Sequence, residues 1–98
     1  MELADKVAVI TGGSGGIGKA MAKAFLREGA KAVVLADLSE EAVTAAAAEI
    51  GCDGITCDVT NEQQIINLVE QTLSKYGQID LFCSNAGAGA GGLRHRAR

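Results

Sequence analysis

The chain has 98 residues, of which 48% are hydrophobic and 3% aromatic, with 13 glycines and no proline. This length excludes two full-sized domains, and the hydrophobic content excludes an intrinsically disordered chain. Residues 1–80 carry a net charge of −6, and residues 81–98 carry three arginines, no acid and a charge of +3. The negative charge of residues 1–80 argues against nucleic-acid binding, and three arginines are too few to favour it.

The first residues lack the basic and apolar regions of a signal peptide, and the longest uncharged run, residues 81–93, is too short and glycine-rich to span a membrane. We therefore expect a cytoplasmic protein without membrane contact. The cysteines, Cys52, Cys57 and Cys83, lack the spacing of a zinc site. We predict no metal site and interpret them as small apolar residues in or near strands.

The chain begins with a strand pattern followed by a helix pattern. Residues 6–11 form an apolar, β-branched run that predicts a buried strand. A helix is predicted from Ile17 until Gly29 ends it. Its predicted buried stripe has apolar residues three and four positions apart, namely Ile17, Ala20, Met21, Ala24 and Phe25. Residues 32–36 predict the second strand, which Asp37 closes.

Two more helices and two more strands follow. Ser39 suits the N-cap of the second helix, which ends at Gly51 and has the apolar stripe Val43, Ala46, Ala47 and Ile50. Residues 54–59 and 79–84 predict the third and fourth strands. Thr60 followed by Gln63 fits a capping box for the third helix. Gly77 ends that helix, and its predicted apolar stripe is Ile65, Ile66, Val69, Leu73 and Tyr76.

The resulting order, β-α-β-α-β-α-β, predicts a parallel sheet joined by right-handed crossovers. Each predicted strand is apolar nearly throughout, which is typical of strands buried on both faces.

A glycine-rich turn joins the first strand to the first helix. Residues 11–18 read TGGSGGIG and match both GxGxxG and TGxxxGxG. Glycine permits positive φ in a tight turn and leaves backbone N–H groups open to a diphosphate at the helix N-terminus. A Walker A loop is excluded because Lys19 is followed by Ala20. A plain glycine linker is the remaining alternative.

Asp37 ends the second strand 19 residues after Gly18. A carboxylate there can accept hydrogen bonds from both hydroxyls of an adenosine ribose, and its charge repels a 2′-phosphate. Neither Leu38 nor Gly15 supplies a cation for such a phosphate. NAD is therefore favoured over NADP. The alternative is an ordinary acid before a helix, which is weakened because Ser39 already serves as the cap.

These features together resemble the short-chain dehydrogenase/reductase family over residues 5–87. Residues 11–18 look like its TGxxxGxG turn, and Asp37 lies where its NAD-selective acid lies. Asp58 and Val59 look like the pair that contacts the adenine ring, Asp58 by its side chain and Val59 by its backbone. Residues 85–87, Asn-Ala-Gly, resemble most of its NNAG motif, with Ser84 in place of the first asparagine.

The resemblance implies the N-terminal half of a doubly wound, three-layer Rossmann-like sheet with strand order 3-2-1-4. Residues 1–87 would form a partial dinucleotide-binding domain and residues 88–98 an irregular tail. The implied cofactor-binding residues are Gly12, Ser14, Gly15, Gly16, Ile17, Gly18, Asp37, Leu38, Asp58, Val59, Asn85, Ala86 and Gly87.

The family's catalytic asparagine, serine and Tyr-x-x-x-Lys have no counterpart in this sequence, since Tyr76 is followed four residues later by Asp80. We therefore predict no catalytic residue. The resemblance implies an NAD-binding portion of an oxidoreductase that, in a complete protein, passes a hydride between an alcohol or ketone and nicotinamide, and that is inactive as this chain alone. The alternatives are a regulatory nucleotide-binding half and a nonfunctional remnant.

The end of the chain carries two further expectations. From Ala88 onwards the residues lose strand and helix periodicity, which suggests a lost reading frame or a fragment with a spurious end. In a sheet with the order 3-2-1-4, the fourth strand has an open edge. We expect this apolar strand to cause marginal stability, aggregation or association with another chain.

Overall fold

The computed structural model describes residues 2–85. Its elements follow the predicted alternation: β1 (Val7–Thr11), α1 (Gly16–Arg27), β2 (Ala32–Asp37), α2 (Glu40–Ile50), β3 (Asp53–Thr56), α3 (Glu62–Tyr76) and β4 (Leu81–Ser84). All strand pairs are parallel, in the order β3-β2-β1-β4. This confirms the predicted strand order and the Rossmann-like α/β fold. Within the described residues, no helix combines the length and apolar character needed to cross a membrane.

The central strands β1 and β2 are buried almost throughout because helices cover both faces of the sheet. On one face, Ile10 and Leu35 pack against residues of α1 and α2, including Val43. On the other face, Val9 and Val34 pack with Leu68 of α3. The predicted stripe of α2 is confirmed, since Val43, Ala46 and Ala47 are buried and Ile50 packs beside them.

The edge strands β3 and β4 differ from the expectation of burial on both faces. Their residues alternate between half-buried and exposed, and Phe82 in β4 leaves 42% of its surface exposed. An edge strand has a neighbouring strand on one side only, and α3 contacts mainly β2 rather than β4. β3 begins at Asp53 and ends at Thr56, earlier than the predicted 54–59, and β4 begins at Leu81, two residues later than predicted. Just before β4, the side chain of Asp80 accepts from the Val7 N–H at 2.8 Å.

The predicted stripe of α1 is wrong at its beginning. Ile17 is 65% exposed, and Ala20 is also exposed. The buried positions are Gly18 and Ala22, with Met21, Phe25 and Leu26 packed beside the core. The helix approaches the sheet through its smallest residues, which a pattern of large apolar residues does not reveal.

The predicted stripe of α3 is displaced around the helix. Leu68 and Thr72 are the buried residues, whereas Ile66 and Leu73 are 40% and 44% exposed. Ile65 and Tyr76 pack partly buried beside the core, as expected. Thr72 fits the buried face because its hydroxyl donates to the carbonyl of Leu68 at 2.8 Å, which satisfies its polar group inside the helix.

The predicted cap of α3 is also wrong by one residue. Asn61, not Thr60, is the N-cap, and its side chain accepts from the Gln64 N–H at 3.1 Å. Thr60 instead donates to the Asp58 carboxylate at 2.6 Å. The predicted caps of α2 are confirmed, since Ser39 accepts from the Ala42 N–H and Gly51 is left-handed. Gly77 likewise ends α3 with a left-handed φ.

Replacing Asn61 by alanine is therefore expected to lower the free energy of unfolding by about 1 kcal/mol, because the first turn of α3 loses its cap. Thr60→Ala is the matched control and removes only the exposed bond to Asp58. Urea denaturation followed by circular dichroism measures both variants. A larger loss for Thr60→Ala than for Asn61→Ala would restore the capping box predicted from sequence.

The three cysteines are free thiols in or beside the strands, as predicted. Cys57 is buried, and Cys52 and Cys83 are half-buried. Burial, together with the neighbouring Asp53, raises the pKa of Cys52 to about 11. Burial also raises the pKa values of Cys57 and Cys83. The thiols are consequently protonated at neutral pH and act as small apolar residues.

Candidate functional site

The carboxyl ends of the four parallel strands lie along one edge of the sheet, and backbone hydrogen bonds connect the segments that follow them. The Gly13 N–H donates to the carbonyl of Ala36 at 3.1 Å, and the Cys57 N–H donates to the carbonyl of Asp37 at 2.8 Å. The Asn85 N–H donates to the carbonyl of Thr11 at 3.2 Å. This edge thus brings together the glycine-rich turn and the segments that begin at Asp37, Asp58 and Asn85.

The glycine-rich turn is shaped by two glycines and open at two others. Gly12 has a φ of +70°, in the left-handed region. A Cβ on Gly18 would lie 2.5 Å from the carbonyl oxygen of Gly12, so α1 packs directly on the turn. Gly15 and Gly16 are exposed, and a Cβ on Gly16 would meet no heavy atom within 4 Å. The turn therefore presents bare backbone to solvent.

The N-terminus of α1 is suited to an anion. Its N-cap is Gly15, which makes no side-chain cap, and its first turn contains no acidic residue. The first intrahelical hydrogen bond runs from the Lys19 N–H to the carbonyl of Gly15 at 2.9 Å, so the preceding N–H groups lack helical acceptors. Together with the positive end of the helix dipole, these groups fit the diphosphate of a dinucleotide.

Asp37 lies beside the turn and is held by three protein donors. The hydroxyl of Ser14 donates to Oδ2, and the backbone N–H of Ser14 donates to the same oxygen at 3.1 Å. The N–H of Leu38 donates to Oδ1 at 2.8 Å. Burial raises the pKa of Asp37, but the bonds from Ser14 and Leu38 outweigh it and leave the pKa below its ordinary value. The carboxylate is therefore ionised at neutral pH.

The segments that follow β2 and β3 place apolar side chains and a second carboxylate at the carboxyl edge of the sheet. Leu38 is 67% exposed, and Val59 is also exposed, so both offer apolar surface to a flat ring. Asp58 uses Oδ1 to accept from the N–H and hydroxyl of Thr60 at 2.9 and 2.6 Å. The Thr60 hydroxyl and N–H lower the pKa of Asp58. One oxygen of Asp58 thus organises its own turn, and the other makes no hydrogen bond within the described residues.

The far side of the edge is formed by the ends of β1 and β4. The Thr11 hydroxyl accepts from the Asn85 N–H at 3.1 Å and donates to the carbonyl of Cys83 at 3.4 Å. Thr11 is buried, so this link anchors Asn85 beside the glycine-rich turn. Ala86 and Gly87, which the sequence also places in the site, lie outside the described residues.

Two residues outside the predicted set help to shape the site. Thr11 ties the ends of two strands together, as described above. Gly13 is buried, and a Cβ there would lie 2.8 Å from the side chain of Leu35 in β2. The GxGxxG match includes Gly13, so the sequence carried that signal. Thr11 stands first in TGxxxGxG, but its bond to Asn85 depends on the pairing of distant strands.

Tyr76 belongs to a separate cluster at the amino end of β3. Its hydroxyl donates to Asp53 at 2.5 Å, and Lys75 forms an ion pair with the same carboxylate at 3.1 Å. Burial and the bond to Asp53 raise the pKa of Tyr76. This cluster borders a cavity of about 220 Å³ that contains none of the predicted site residues. Tyr76 therefore joins α3 to β3, in agreement with a structural role.

Comparisons with known proteins identify relatives of this chain. A sequence model of the family described as short chain dehydrogenase matches residues 6–97. The chain is 44% identical over 89 residues to (+)-cis,cis-nepetalactol synthase of Nepeta racemosa, covering 88% of this chain and 33% of that protein. It is also 44% identical over 89 residues to (-)-isopiperitenol/(-)-carveol dehydrogenase, mitochondrial, of Mentha piperita, covering 88% of this chain and 34% of that protein.

Solved structures give the same result. A short chain dehydrogenase from Mycobacterium smegmatis matches with a TM-score of 0.78 and 31% identity, over 83% of this chain and 36% of that one. The 3-ketoacyl-(acyl-carrier-protein) reductase of Brucella melitensis, complexed with NADH, matches with a TM-score of 0.76 and 39% identity, over 82% and 34%.

This chain spans about a third of the length of the curated relatives it matches. The match to the family nevertheless covers nearly the whole chain, from before β1 to beyond β4. With its strand order, its glycine-rich turn and this match in agreement, the chain belongs to the short-chain dehydrogenase/reductase family.

Proposed function

We propose that this chain binds NAD along the carboxyl edge of its sheet and forms the cofactor-binding portion of an oxidoreductase. The observation that carries the proposal is the open N-terminus of α1, where bare glycine backbone and N–H groups without helical acceptors lie beside the Asp37 carboxylate. The diphosphate lies at Gly15, Gly16 and Ile17, and Asp37 receives the adenosine ribose. NADH in the matched reductase from Brucella melitensis supports a nicotinamide cofactor.

The adenine ring would lie between the two segments that follow β2 and β3. Leu38 and Val59 supply exposed apolar surface there, and Asp58 has one carboxylate oxygen that makes no hydrogen bond within the described residues. Asn85 stands at the opposite end of the edge, beside the ends of β1 and β4. The nicotinamide half of the cofactor would extend in this direction, towards Ala86 and Gly87.

NAD is the preferred cofactor in this proposal. The ionised Asp37 carboxylate accepts hydroxyl protons but repels a 2′-phosphate, which carries a charge of roughly −1.5 to −2. None of the residues that contact Asp37 supplies a cation, since its described hydrogen-bond donors are Ser14 and Leu38. An NADP phosphate would therefore meet a like charge, with no cation among the described hydrogen-bond donors to Asp37.

The reaction we propose for the complete protein is hydride transfer between an alcohol or ketone and nicotinamide. Names among the similar proteins support this class, because they include a carveol dehydrogenase and a 3-ketoacyl reductase. The groups that handle the substrate proton would come from sequence outside these 98 residues. The chain alone is therefore expected to bind cofactor without turning over substrate.

Calorimetric titration of the purified chain tests cofactor binding. We expect saturable binding of NAD and at least tenfold weaker binding of NADP, since one tenfold step corresponds to about 1.4 kcal/mol. NMR shifts concentrated at residues 12–18, 37–38, 58–59 and 85 would locate the site. No binding at millimolar NAD would favour a nonfunctional remnant, and NADH formation from alcohols by the chain alone would contradict its proposed inactivity.

Association through the edge of β4 is a further part of the proposal. Among the described residues no strand pairs with the outer edge of β4, and Phe82 on that strand is substantially exposed. We expect sedimentation velocity to show a mass that increases with concentration. Phe82→Lys is expected to shift the chain towards monomer, because a charge opposes edge pairing. A wild-type chain that stays monomeric at all concentrations would contradict this expectation.

A further inference from the structure

The turn between β3 and α3 is closed by short-range hydrogen bonds around Asp58. Oδ1 of Asp58 accepts from the N–H and the hydroxyl of Thr60, and the Asp58 carbonyl accepts from the Asn61 N–H at 2.9 Å. Each of these bonds joins residues two or three positions apart in sequence. They shape the turn itself, but they do not fix its orientation relative to the sheet and to α3.

The side chain of Gln64 connects this turn to the body of α3. Its Oε1 accepts from the backbone N–H of Asp58 at 2.9 Å, and both residues are half-buried. The preceding residue, Cys57, is buried and donates its N–H to the carbonyl of Asp37 at the end of β2. Two successive backbone N–H groups therefore hold Asp58 between the sheet and α3, one through β2 and the other through Gln64.

The position of the Asp58 carboxylate follows from these bonds. Its backbone N–H, its carbonyl and Oδ1 all have partners, so Oδ2 alone makes no hydrogen bond within the described residues. Among those residues, Gln64 is the one side chain outside the turn that bonds to Asp58. A carboxylate oxygen only accepts hydrogen bonds, whereas the amino group of adenine donates them. The Gln64 bond therefore decides where this acceptor is presented.

We propose that Gln64 is a positioning residue for recognition of the cofactor's base: by holding the Asp58 N–H, it orients Oδ2 of Asp58 towards the amino group of adenine. This inference rests on the proposed binding of NAD. Gln64 itself touches no cofactor atom and acts through Asp58. Base selectivity follows, because hypoxanthine has a carbonyl oxygen in place of the amino group, and a carboxylate repels that oxygen.

The test compares the binding of NAD and of nicotinamide hypoxanthine dinucleotide by calorimetry. Gln64→Met keeps a long side chain of similar helix propensity but removes the oxygen acceptor. It is expected to weaken NAD binding roughly three- to tenfold and to change binding of the hypoxanthine dinucleotide little, so that the affinity ratio falls. Gln64→Glu keeps an oxygen acceptor for the Asp58 N–H and is expected to restore the ratio.

Gln63→Met is the matched control, because it makes the same replacement one position earlier on α3. Gln63 is exposed, and its amide donates to Asn67 at 3.1 Å on the same helix. This variant should keep the wild-type ratio of the two affinities. A loss of helix stability alone would lower both affinities together and leave their ratio unchanged.

Amide hydrogen exchange of the chain without cofactor provides an independent check. Exchange at the Asp58 N–H should be faster in Gln64→Met than in the wild-type chain, because the acceptor of that N–H has been removed. Exchange at the Cys57 N–H should stay slow, since its acceptor is the carbonyl of Asp37 in β2. Gln63→Met should leave both rates unchanged.

The outcomes separate this inference from the proposed function. Failure of the wild-type chain to bind NAD would overturn both. A wild-type chain that binds NAD, combined with an unchanged affinity ratio in Gln64→Met, would overturn the role of Gln64 alone. Unchanged exchange at the Asp58 N–H in that variant would overturn it as well. A lowered ratio that Gln64→Glu restores, together with faster exchange at Asp58, would support it.

Discussion

Replacing Gly18 by alanine is expected to destabilise the folded chain strongly. The added Cβ would lie 2.5 Å from the carbonyl oxygen of Gly12 and 2.7 Å from the Cα of Gly13. Both contacts are with backbone, so no flexible side chain can move aside. The turn itself is held in place, because Gly12 has a left-handed φ and the Gly13 N–H donates to the carbonyl of Ala36 in β2.

The energetic consequence is large for a chain of this size. Overpacking in a closely packed site costs roughly 1–3 kcal/mol and occasionally more. A domain of this length has a total stability of about 5–15 kcal/mol, and this sheet has exposed apolar residues on its edge and on α3. We expect Gly18→Ala to lose at least about 3 kcal/mol. Urea denaturation monitored by circular dichroism measures the loss.

Gly16→Ala is the matched control because it adds the same methyl group two positions earlier. Its Cβ would meet no heavy atom within 4 Å, and alanine favours a helix over glycine by up to about 1 kcal/mol. Its unfolding free energy should equal or exceed that of the wild-type chain. Its NAD affinity should fall, because the methyl group occupies space we assign to the diphosphate. Equal stability of the two variants would contradict the close packing of α1 on the turn.

The second large effect concerns cofactor preference. Replacing Asp37 by alanine and Leu38 by arginine is expected to reverse the preference from NAD to NADP. The change removes the carboxylate that accepts ribose protons, and hydrogen bonds to charged groups contribute roughly 1.5–3 kcal/mol each. NAD binding should therefore weaken by roughly 10- to 100-fold. Arginine supplies a fork of N–H donors that suits a 2′-phosphate, so NADP binding should strengthen.

Calorimetric dissociation constants for both cofactors, measured on the double variant and on each single variant, check this prediction. Glu40→Ala is the charge-matched control, since Glu40 is an exposed acid in the first turn of α2, close to Asp37 in sequence. It should leave the ratio of the two constants near the wild-type value. A ratio that is unchanged in the double variant would show that Asp37 does not select the cofactor.

The order of elements and the glycine-rich turn of the candidate site could be predicted from short windows of sequence. Apolar runs of five or six residues predicted β1 and β2, and glycines predicted the ends of α2 and α3. The residues of TGxxxGxG predicted the glycine-rich turn between β1 and α1. These features are local, because apolar runs, helix ends and positive φ depend on residues within a few positions of one another.

The buried faces of helices and the hydrogen-bond partners of polar side chains could not be predicted in the same way. The buried face of α3 includes Thr72, which can be buried because its hydroxyl donates to the Leu68 carbonyl within the helix. The role of Tyr76 depends on Asp53, which is 23 residues away in sequence. Asn61 caps α3 by accepting from the Gln64 N–H, whereas the Thr60 hydroxyl already donates to the Asp58 carboxylate in the preceding turn. Each of these outcomes follows from competition between polar partners that only the folded chain brings together.

Sequence alone thus sufficed for the alternating α/β order, the glycine-rich turn and the acid at the end of β2, since all of them are encoded by local spacing. Only the tertiary structure determined which protein groups donate hydrogen bonds to Asp37. Parallel pairing of β1 with β2 brings Ser14 beside a carboxylate 23 residues away. Three of its acceptor positions are filled by the protein before any ligand arrives. Such occupancy depends on distances between atoms of separate strands, which no local pattern encodes.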